Sequence, residues 1–357
     1  MYNDSTNVLQ TLVESSIDMI ISLGKQSVPF WKWLFDGYIQ EKIDFDILWK
    51  ELKIRNTIGN YPILYKENKG NFSNTWLFTI PIGLSISDFI LHRVNIAQFL
   101  KCDIKDMRIE LINGMVGITV YNTSKLSFDY RDYKFSYTRE VRVPLGISLT
   151  NFSTIYWQPT SPTECHMLIG GSTGSGKSVT LNVILDYLSN RKDVELYLQD
   201  TKRIDLVQWE KKAIQYNEGK DYADETSALL VDIMNDRYRE LKEDRNKKFK
   251  HIFYVVEELA SFNPKEDKNF YSNLGELLAK GRASSIYVIL TTQAPYSDIL
   301  PGVMKNNVNS IIGLKTRTGE ASKVIIGEHD LLVNIRGKGN AIFSANGEYQ
   351  EIQVFNI

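Results

Sequence analysis

At 357 residues the chain is long enough for two domains or three, because a domain usually takes about 100–200 residues. Its 43% apolar and 24% charged residues lie near the averages of globular proteins, which excludes a disordered or collagen-like chain. The 42 Lys and Arg residues balance 43 Asp and Glu residues, so the net charge of −1 excludes a uniformly basic nucleic-acid-binding surface but allows a local basic lining.

The cysteines and the hydropathy pattern indicate a cytoplasmic protein. Cys102 and Cys165 are far apart in the sequence and form neither a disulfide framework nor a zinc-binding pattern. The N-terminus lacks the basic and apolar regions of a signal peptide. Its most apolar stretch, 17–23, is far shorter than the roughly 20 residues of a spanning helix. We expect no transmembrane segment, and a location either free in the cytoplasm or peripheral at the membrane through a partner.

Local patterns divide the chain into three zones. Residues 1–60 have the apolar spacing of an N-terminal helical segment. Residues 61–140 combine a β-rich run over 75–82, a helical run over 87–100 and a hairpin signal at Asn113-Gly114. This combination predicts a small α/β domain.

The third zone, residues 141–357, alternates short β-branched runs with helical patterns. We predict strands over 167–170, 194–198, 252–256, 287–292 and 310–314. Strands separated by helices join through crossovers into parallel sheets, so we expect an α/β domain with a mostly parallel sheet.

The strongest chemical signal is the segment Gly171–Ser178, which fits the phosphate-loop pattern G-x-x-x-x-G-K-[ST] at every fixed position. It lies between the strand expected before it and a helix expected over 179–188. Glycines let backbone N–H groups converge on phosphate oxygens, and the helix N-terminus adds partial positive charge. We predict that ATP is bound by Gly171, Ser172, Thr173, Gly174, Ser175, Gly176, Lys177, Ser178 and Val179.

Within that loop, Lys177 would bridge the β- and γ-phosphates, and Ser178 would bind Mg²⁺. Carboxylates that act on the metal and the attacking water are expected where the strand over 252–256 ends in Glu257 and Glu258. Parallel strands bring their carboxyl ends to one ligand-binding edge of the sheet. Neighbouring carboxylates diverge, so we assign Glu257 to Mg²⁺ and Glu258 to polarising the attacking water. The alternative is a solvated acidic turn.

Two further residues are candidates for catalytic roles. Gln293 follows the strand over 287–292, and its amide, which both donates and accepts, can sense the γ-phosphate; strand-end glutamines without such a role are also common. Arg282 can reach the nucleotide of a neighbouring subunit and stabilise transition-state charge, with Arg317 as the alternative.

Together these residues resemble the FtsK/SpoIIIE family of DNA-translocating ATPases, within the FtsK–HerA group. The resemblance covers residues 141–357 well and 61–140 weakly, and does not reach 1–60. Besides the phosphate loop it rests on Pro144-Leu-Gly146, Asp200-Thr-Lys202, Arg237-Tyr238, Gly281-Arg-Ala283 and Thr291-Thr-Gln293-Ala-Pro295.

The resemblance implies a RecA-like ATPase motor that uses ATP and Mg²⁺ and assembles into a homo-hexameric ring around double-stranded DNA. It implies catalytic roles for Lys177, Glu258, Gln293 and Arg282. It also suggests a DNA-facing loop near residues 299–307, with Lys305 as the phosphate contact, although an ordinary exposed lysine is the alternative.

The sequence also departs from the family pattern. Glu257 replaces the usual aspartate, Ala294 replaces an arginine, and we expect neither the winged-helix reader module nor the membrane anchor of chromosome-segregating members. These departures favour a coupling protein for conjugative transfer or mobilisation of a mobile element. The alternatives are a HerA-like motor working with a nuclease or relaxase, a secretion or assembly ATPase acting on proteins, and a nucleotide-binding scaffold that barely hydrolyses ATP.

Overall fold

The computed structural model describes residues 43–138, 140–293, 299–345 and 347–357. Most of the N-terminal helical segment expected over 1–60, up to residue 42, lies outside the described residues, as does Ala294. Across the parts of the chain that the structure describes, no helix combines the length and apolarity needed to cross a bilayer.

A small antiparallel sheet occupies the first part of the described chain. Its strands, in the spatial order β1-β2-β4-β3, are β1 (Ile63–Lys69), β2 (Ser73–Thr79), β3 (Met107–Ile112) and β4 (Met115–Tyr121). It is accompanied by helices α1 (Phe45–Leu52), α2 (Ile86–Leu91) and α3 (Arg93–Phe99). The predicted hairpin is confirmed, because Asn113 and Gly114 join β3 to β4 with φ values of 50° and 79°.

The core of this small sheet is aromatic. Phe45, Leu48 and Trp49 are buried on one face of α1, at the spacing that places side chains on one side of a helix. The Trp49 ring meets Phe78 edge-on, with centroids 5.1 Å apart, and Phe89 at 5.4 Å. Helix α1, which lies in the range expected for the N-terminal segment, therefore packs on the small sheet.

A large sheet of ten strands forms the rest of the protein. Its spatial order is β6-β5-β14-β13-β12-β7-β11-β10-β8-β9. The strands are β5 (Val143–Ser148), β6 (Thr154–Trp157), β7 (Met167–Gly170), β8 (Val194–Asp200), β9 (Gln215–Glu218), β10 (His251–Glu257), β11 (Ile286–Thr292), β12 (Ser310–Leu314), β13 (Asn340–Ala345) and β14 (Glu348–Val354).

The predicted α/β class and the five predicted strands are confirmed, but the large sheet is mixed. Strands from β12 through β7, β11, β10 and β8 to β9 pair in parallel, whereas β13, β14, β5 and β6 add antiparallel pairs on one side. Short connections join β5 to β6 and β13 to β14, and strands joined so closely can only run antiparallel.

Helices cover both faces of the parallel strands. They are α4 (Lys177–Ser189), α5 (Ala223–Glu243), α6 (Lys268–Lys280), the short α7 (Gly302–Lys305) and α8 (Gly319–Ile326). Along β10, Phe253 and Val255 belong to the hydrophobic cluster that contains α4, whereas Tyr254 and Val256 belong to the cluster of α5 and α6. This alternation explains why β10 reads as a continuous apolar run in the sequence.

Ion pairs connect the small sheet to the large one. Arg108 of β3 lies 2.9 Å from the Glu351 carboxylate of β14, and Arg336 lies 3.5 Å from the same carboxylate. The Arg336 guanidinium also stacks over the Tyr121 ring of β4, at 4.8 Å from the ring centroid. The small sheet is thus held against the segment that precedes β13.

Gly146 offers a test of the pairing between β5 and β14. A Cβ at this position would lie 2.2 Å from the Gln353 carbonyl oxygen and 2.8 Å from the Val354 Cα, both backbone atoms. Overpacking costs about 1–3 kcal/mol, so we expect Gly146→Ala to lower the free energy of unfolding by about 2 kcal/mol, measured by chemical denaturation.

Gly275→Ala is the matched control. Its Cβ would meet only the flexible Met304 side chain, at 3.9 Å, and alanine favours the α6 helix by about 0.5–1 kcal/mol. We expect this control to leave the denaturation midpoint unchanged or raised. A Gly146→Ala protein as stable as the wild type would show that β5 does not approach β14 this closely.

Candidate functional site

The phosphate-loop segment leaves β7 at the centre of the large sheet and leads directly into α4. Gly176 has a φ of 115°, which favours glycine, and a Cβ there would lie 3.2 Å from the Gly339 backbone. Helix α4 begins at Lys177, so its unpaired N–H groups and the positive end of its dipole lie beside the loop. This arrangement suits an anion such as a phosphate.

Backbone hydrogen bonds from three neighbouring segments hold the loop in place. The partners belong to the end of β11, to the residue after β12 and to the turn before β13. The bonds join Gly171 N–H to Thr292 O (3.3 Å), Ser172 N–H to Lys315 O (2.9 Å) and Gly339 N–H to Ser175 O (3.0 Å).

Two buried side chains of the loop have the chemistry of a phosphate site. The Lys177 Nζ donates to the Gly171 carbonyl at 2.9 Å, and burial lowers the pKa of Lys177 to about 8, although the nearby Glu258 carboxylate opposes this shift. The Ser175 hydroxyl is buried and has no hydrogen-bond partner among the described residues. An unpaired hydroxyl and a lysine ammonium in one glycine-rich loop fit the phosphates of a nucleotide.

Glu257 is the last residue of β10 and is almost fully buried. Its Oε1 lies 2.7 Å from the Lys202 Nζ, and its Oε2 accepts a hydrogen bond from the Thr201 hydroxyl at 3.1 Å. Burial raises the pKa of Glu257, and the Lys202 ammonium opposes that rise. The carboxylate thus faces the loop that follows β8.

Glu258 turns its side chain the other way. Its backbone is left-handed (φ 55°, ψ 72°), and its N–H donates to the Thr291 hydroxyl at 3.0 Å. The Glu258 Oε1 accepts hydrogen bonds from the Thr292 hydroxyl (3.2 Å) and from the Gln293 N–H (2.9 Å). The two neighbouring carboxylates therefore have different hydrogen-bond partners, and Glu258 is fixed against the end of β11.

Gln293 connects Glu258 to the phosphate loop. Its backbone N–H binds Glu258, and its side-chain Oε1 accepts a hydrogen bond from the Thr173 hydroxyl at 2.7 Å. A change in the position of the loop would therefore reach the Glu258 carboxylate through a single residue.

Lys202 is a site residue to which the sequence analysis assigned no role. Its Nζ lies 2.7 Å from Glu257 Oε1, 3.2 Å from Asp205 Oδ2 and 3.6 Å from Glu258 Oε2. Burial alone would lower the pKa of Lys202, but the ion pair with Glu257 outweighs it and leaves the pKa raised. Its position just after β8, the strand that pairs with β10, is the feature of the sequence that could have indicated its place in the site.

Asp200 gives the segment after β8 its shape. Its buried carboxylate accepts hydrogen bonds from the backbone N–H groups of Arg203 (3.0 Å) and Leu206 (2.9 Å) and from the Tyr216 hydroxyl (3.0 Å). These bonds fold residues 201–206 into a turn that presents Lys202 and Asp205 to the site.

The oxygen donors around this turn fit a magnesium ion. Ser178, Asp205 and Glu257 line one narrow cleft beside Lys177, and hydroxyl and carboxylate oxygens are the ligands that hard cations prefer. Within the described ranges, no cluster of three or more Asp, Glu, His or Cys side chains is arranged to hold a metal by itself. When Mg²⁺ binds together with ATP, phosphate oxygens would be among its ligands.

The two arginine candidates lie at opposite ends of the parallel strands, Arg282 before β11 and Arg317 after β12. Arg282 is exposed and precedes the seven-residue β11, which spans about 20 Å, so it lies far from the phosphate loop of its own chain. Arg317 is exposed and follows β12, two positions after Lys315, whose carbonyl binds the loop.

Lys305 lies away from the site, at the end of α7. Its Nζ donates to the Val324 carbonyl at 2.5 Å, and burial lowers the pKa of Lys305. In this conformation the Lys305 ammonium is bound to a backbone carbonyl of α8, so it can contact DNA only after that hydrogen bond breaks.

Part of the chain matches a known protein family and its members. The FtsK/SpoIIIE family model matches residues 138–307. The DNA translocase FtsK of Staphylococcus aureus is 28% identical over 306 residues, which cover 76% of this chain and 38% of that protein. The FtsK of Corynebacterium efficiens is 30% identical over 215 residues, covering 51% and 22%. The chain thus spans about two fifths or less of the length of these relatives.

Solved structures share the fold. The conjugation coupling protein TcpA of pCW3, in its monomer form with ATPgS, superposes with a TM-score of 0.62 at 20% identity, over 87% of this chain and 94% of that one. ATPases 2 and 3 of EssC from Geobacillus thermodenitrificans give a TM-score of 0.54 at 17% identity, over 64% and 47%. Residues 138–307, which include the phosphate loop, Glu257, Glu258 and Gln293, match the FtsK/SpoIIIE family model.

Proposed function

We propose that the protein is an ATPase that pumps double-stranded DNA. The observation that carries this proposal is the contact of Gln293 with both Glu258 and Thr173, within residues that match the FtsK/SpoIIIE family model. This contact joins the phosphate loop to the carboxylate that we assign to water activation. The relatives named as DNA translocases support DNA as the substrate.

In this proposal the residues Gly171–Val179 bind the phosphates of ATP, with Lys177 moving from the Gly171 carbonyl to the β- and γ-phosphates. Ser178 and Glu257 would hold Mg²⁺, which would supply positive charge beside those phosphates. Glu258 polarises the attacking water, and its bonds to Thr292 and Gln293 keep the carboxylate in one orientation.

We propose further that the active form is a homo-hexameric ring in the cytoplasm. Arg282 lies too far from the loop of its own chain to contact the same nucleotide, so it would act on the site of a neighbouring subunit, whereas Arg317 lies on the side of its own loop. Lys305 would meet a DNA phosphate after leaving the Val324 carbonyl.

The biological role that we favour is that of a coupling protein in conjugative transfer or mobilisation. It rests on the fold shared with the conjugation coupling protein TcpA over 87% of this chain, whereas the fold shared with the EssC ATPases extends over 64%. A relaxase, a nuclease or a secretion channel would be its partner, and would hold it at the membrane.

The proposal is tested by the rate of ATP hydrolysis with double-stranded DNA, with single-stranded DNA and without DNA. We expect double-stranded DNA to stimulate the rate several-fold, and added salt to weaken this stimulation because phosphate contacts release counterions. Lys177→Ala is the control, because it removes the phosphate contact and should abolish both the activity and the rise in melting temperature with ATP.

An ATPase rate that no DNA changes, in a wild type that binds ATP, would contradict the DNA-pumping role. If ATP raised the melting temperature of Lys177→Ala as much as that of the wild type, the nucleotide site itself would be wrong.

Glu258→Gln separates binding from hydrolysis. Glutamine keeps the shape of the side chain but removes the charge that polarises water, so we expect ATP to bind with unchanged affinity while turnover falls at least about 100-fold. Fluorescent nucleotide binding and phosphate release measure the two quantities. Hydrolysis at the wild-type rate by Glu258→Gln, but not by Glu257→Gln, would reverse the two assigned roles.

Mixing two inactive variants tests the arginine in trans. Arg282→Ala and Lys177→Ala should each be impaired alone. A mixed ring would contain some sites that join an intact loop to an intact arginine, so we expect partial recovery of ATP hydrolysis on mixing. Arg317→Ala mixed with Lys177→Ala is the matched comparison, and full activity of Arg282→Ala alone would refute the role of Arg282.

A further inference from the structure

We propose that the Lys202 ammonium pairs with the carboxylates of the site before nucleotide binds. It then competes with Mg²⁺ for these carboxylates. This inference rests on the proposed nucleotide site but concerns the binding of Mg²⁺ in the absence of nucleotide. It assigns a function to a residue that lies outside the phosphate loop and outside the pair Glu257-Glu258.

The position of the Lys202 ammonium is the first argument. It lies within 3.6 Å of oxygens from Glu257, Glu258 and Asp205. In the described part of the chain, all the ion pairs of these three carboxylates are with Lys202. Lys177, the other ammonium nearby, donates to a backbone carbonyl instead.

The burial of the acids is the second argument. The Glu257 and Glu258 side chains are only 5% and 10% exposed, and Asp205 is 25% exposed. Two or three carboxylates brought together away from water repel one another unless a cation lies between them. Lys202 supplies that cation within the chain, so the site can stay folded and charged without a bound metal.

Lys202 and Mg²⁺ would compete at this position. Mg²⁺ binds carboxylate oxygens at about 2.0–2.1 Å, so an ion on the carboxylates that Lys202 contacts would lie beside the ammonium, and the repulsion between the two cations disfavours joint binding. The Lys202 side chain is 33% exposed and has a flexible four-carbon stem, so it can leave toward solvent or toward the phosphates.

The longer side chain of Glu257 fits this function. A glutamate carries its carboxylate one methylene farther than the aspartate expected from the family pattern, and in the structure this carboxylate reaches the Lys202 Nζ at 2.7 Å. We infer that free Mg²⁺ binds the protein poorly and enters together with nucleotide, whose phosphates supply the additional negative charge.

The experiment is thermal melting of the full chain against Mg²⁺ concentration without nucleotide, together with direct Mn²⁺ binding followed by electron paramagnetic resonance. Lys202→Met keeps the stem and removes the charge. We expect it to melt below the wild type in EDTA, to be stabilised by Mg²⁺, and to bind Mn²⁺ at least about tenfold more tightly, because bound metal stabilises the folded state by linkage.

Two variants serve as controls. Lys202→Arg keeps a cation at the site and should resemble the wild type. Lys220→Met removes a similar ion pair elsewhere, that of Lys220 with Asp267 at 2.6 Å, and should gain no Mg²⁺ dependence. If Lys202→Met does not fold in EDTA, Lys202→Gln purified in Mn²⁺ provides the binding measurement.

Equal Mn²⁺ affinity in the wild type, Lys202→Met and Lys202→Gln would overturn the inference. This failure is distinct from failure of the proposed function, which is reported by ATP-dependent melting and hydrolysis in the wild type.

Discussion

The parallel, in-register pairing of β8, β10, β11 and β7 is the constraint on which the site depends. Asp200 is paired with Glu257, and Gly170 with Thr292, so these strands end at one edge of the large sheet. The phosphate loop, Glu258 and Lys202 follow these ends, and Glu257 is the last residue of β10. The pairing of these strands is therefore enough to bring residues from distant parts of the sequence together at that edge.

Charge balance explains how this edge can be both buried and acidic. The site contains two lysines with different partners, because Lys177 donates to a backbone carbonyl, whereas Lys202 pairs with the carboxylates. The Lys177 ammonium thus lies at the phosphate loop, and the Lys202 ammonium lies among the acidic side chains. Glu258, bonded to Thr292 and Gln293, lies between the two sets of groups.

Much of the fold, and the composition of the loop, could be predicted from local patterns. Five of the six strands that pair in parallel, the Asn113-Gly114 hairpin and the loop between β7 and α4 each have their signal within a few residues. The antiparallel side could not be predicted, because β5 pairs with β14 across most of the large sheet's sequence. The contacts of Lys202 and Lys305 could not be predicted for a related reason, because strand register and tertiary packing determine which groups these lysines meet. The catalytic roles themselves stay predictions.

The place of β14 has a consequence for the order of folding during synthesis. It lies inside the large sheet, between β13 and β5, although it is synthesised long after β5. Until it is made, β5 and β6 have an open edge on the nascent chain, and closing that edge requires a long-range contact, which folds slowly. An open strand edge is a template for pairing with other chains. Molecular chaperones that cover the open edge of β5 until β14 has been made should therefore raise the yield of folded protein.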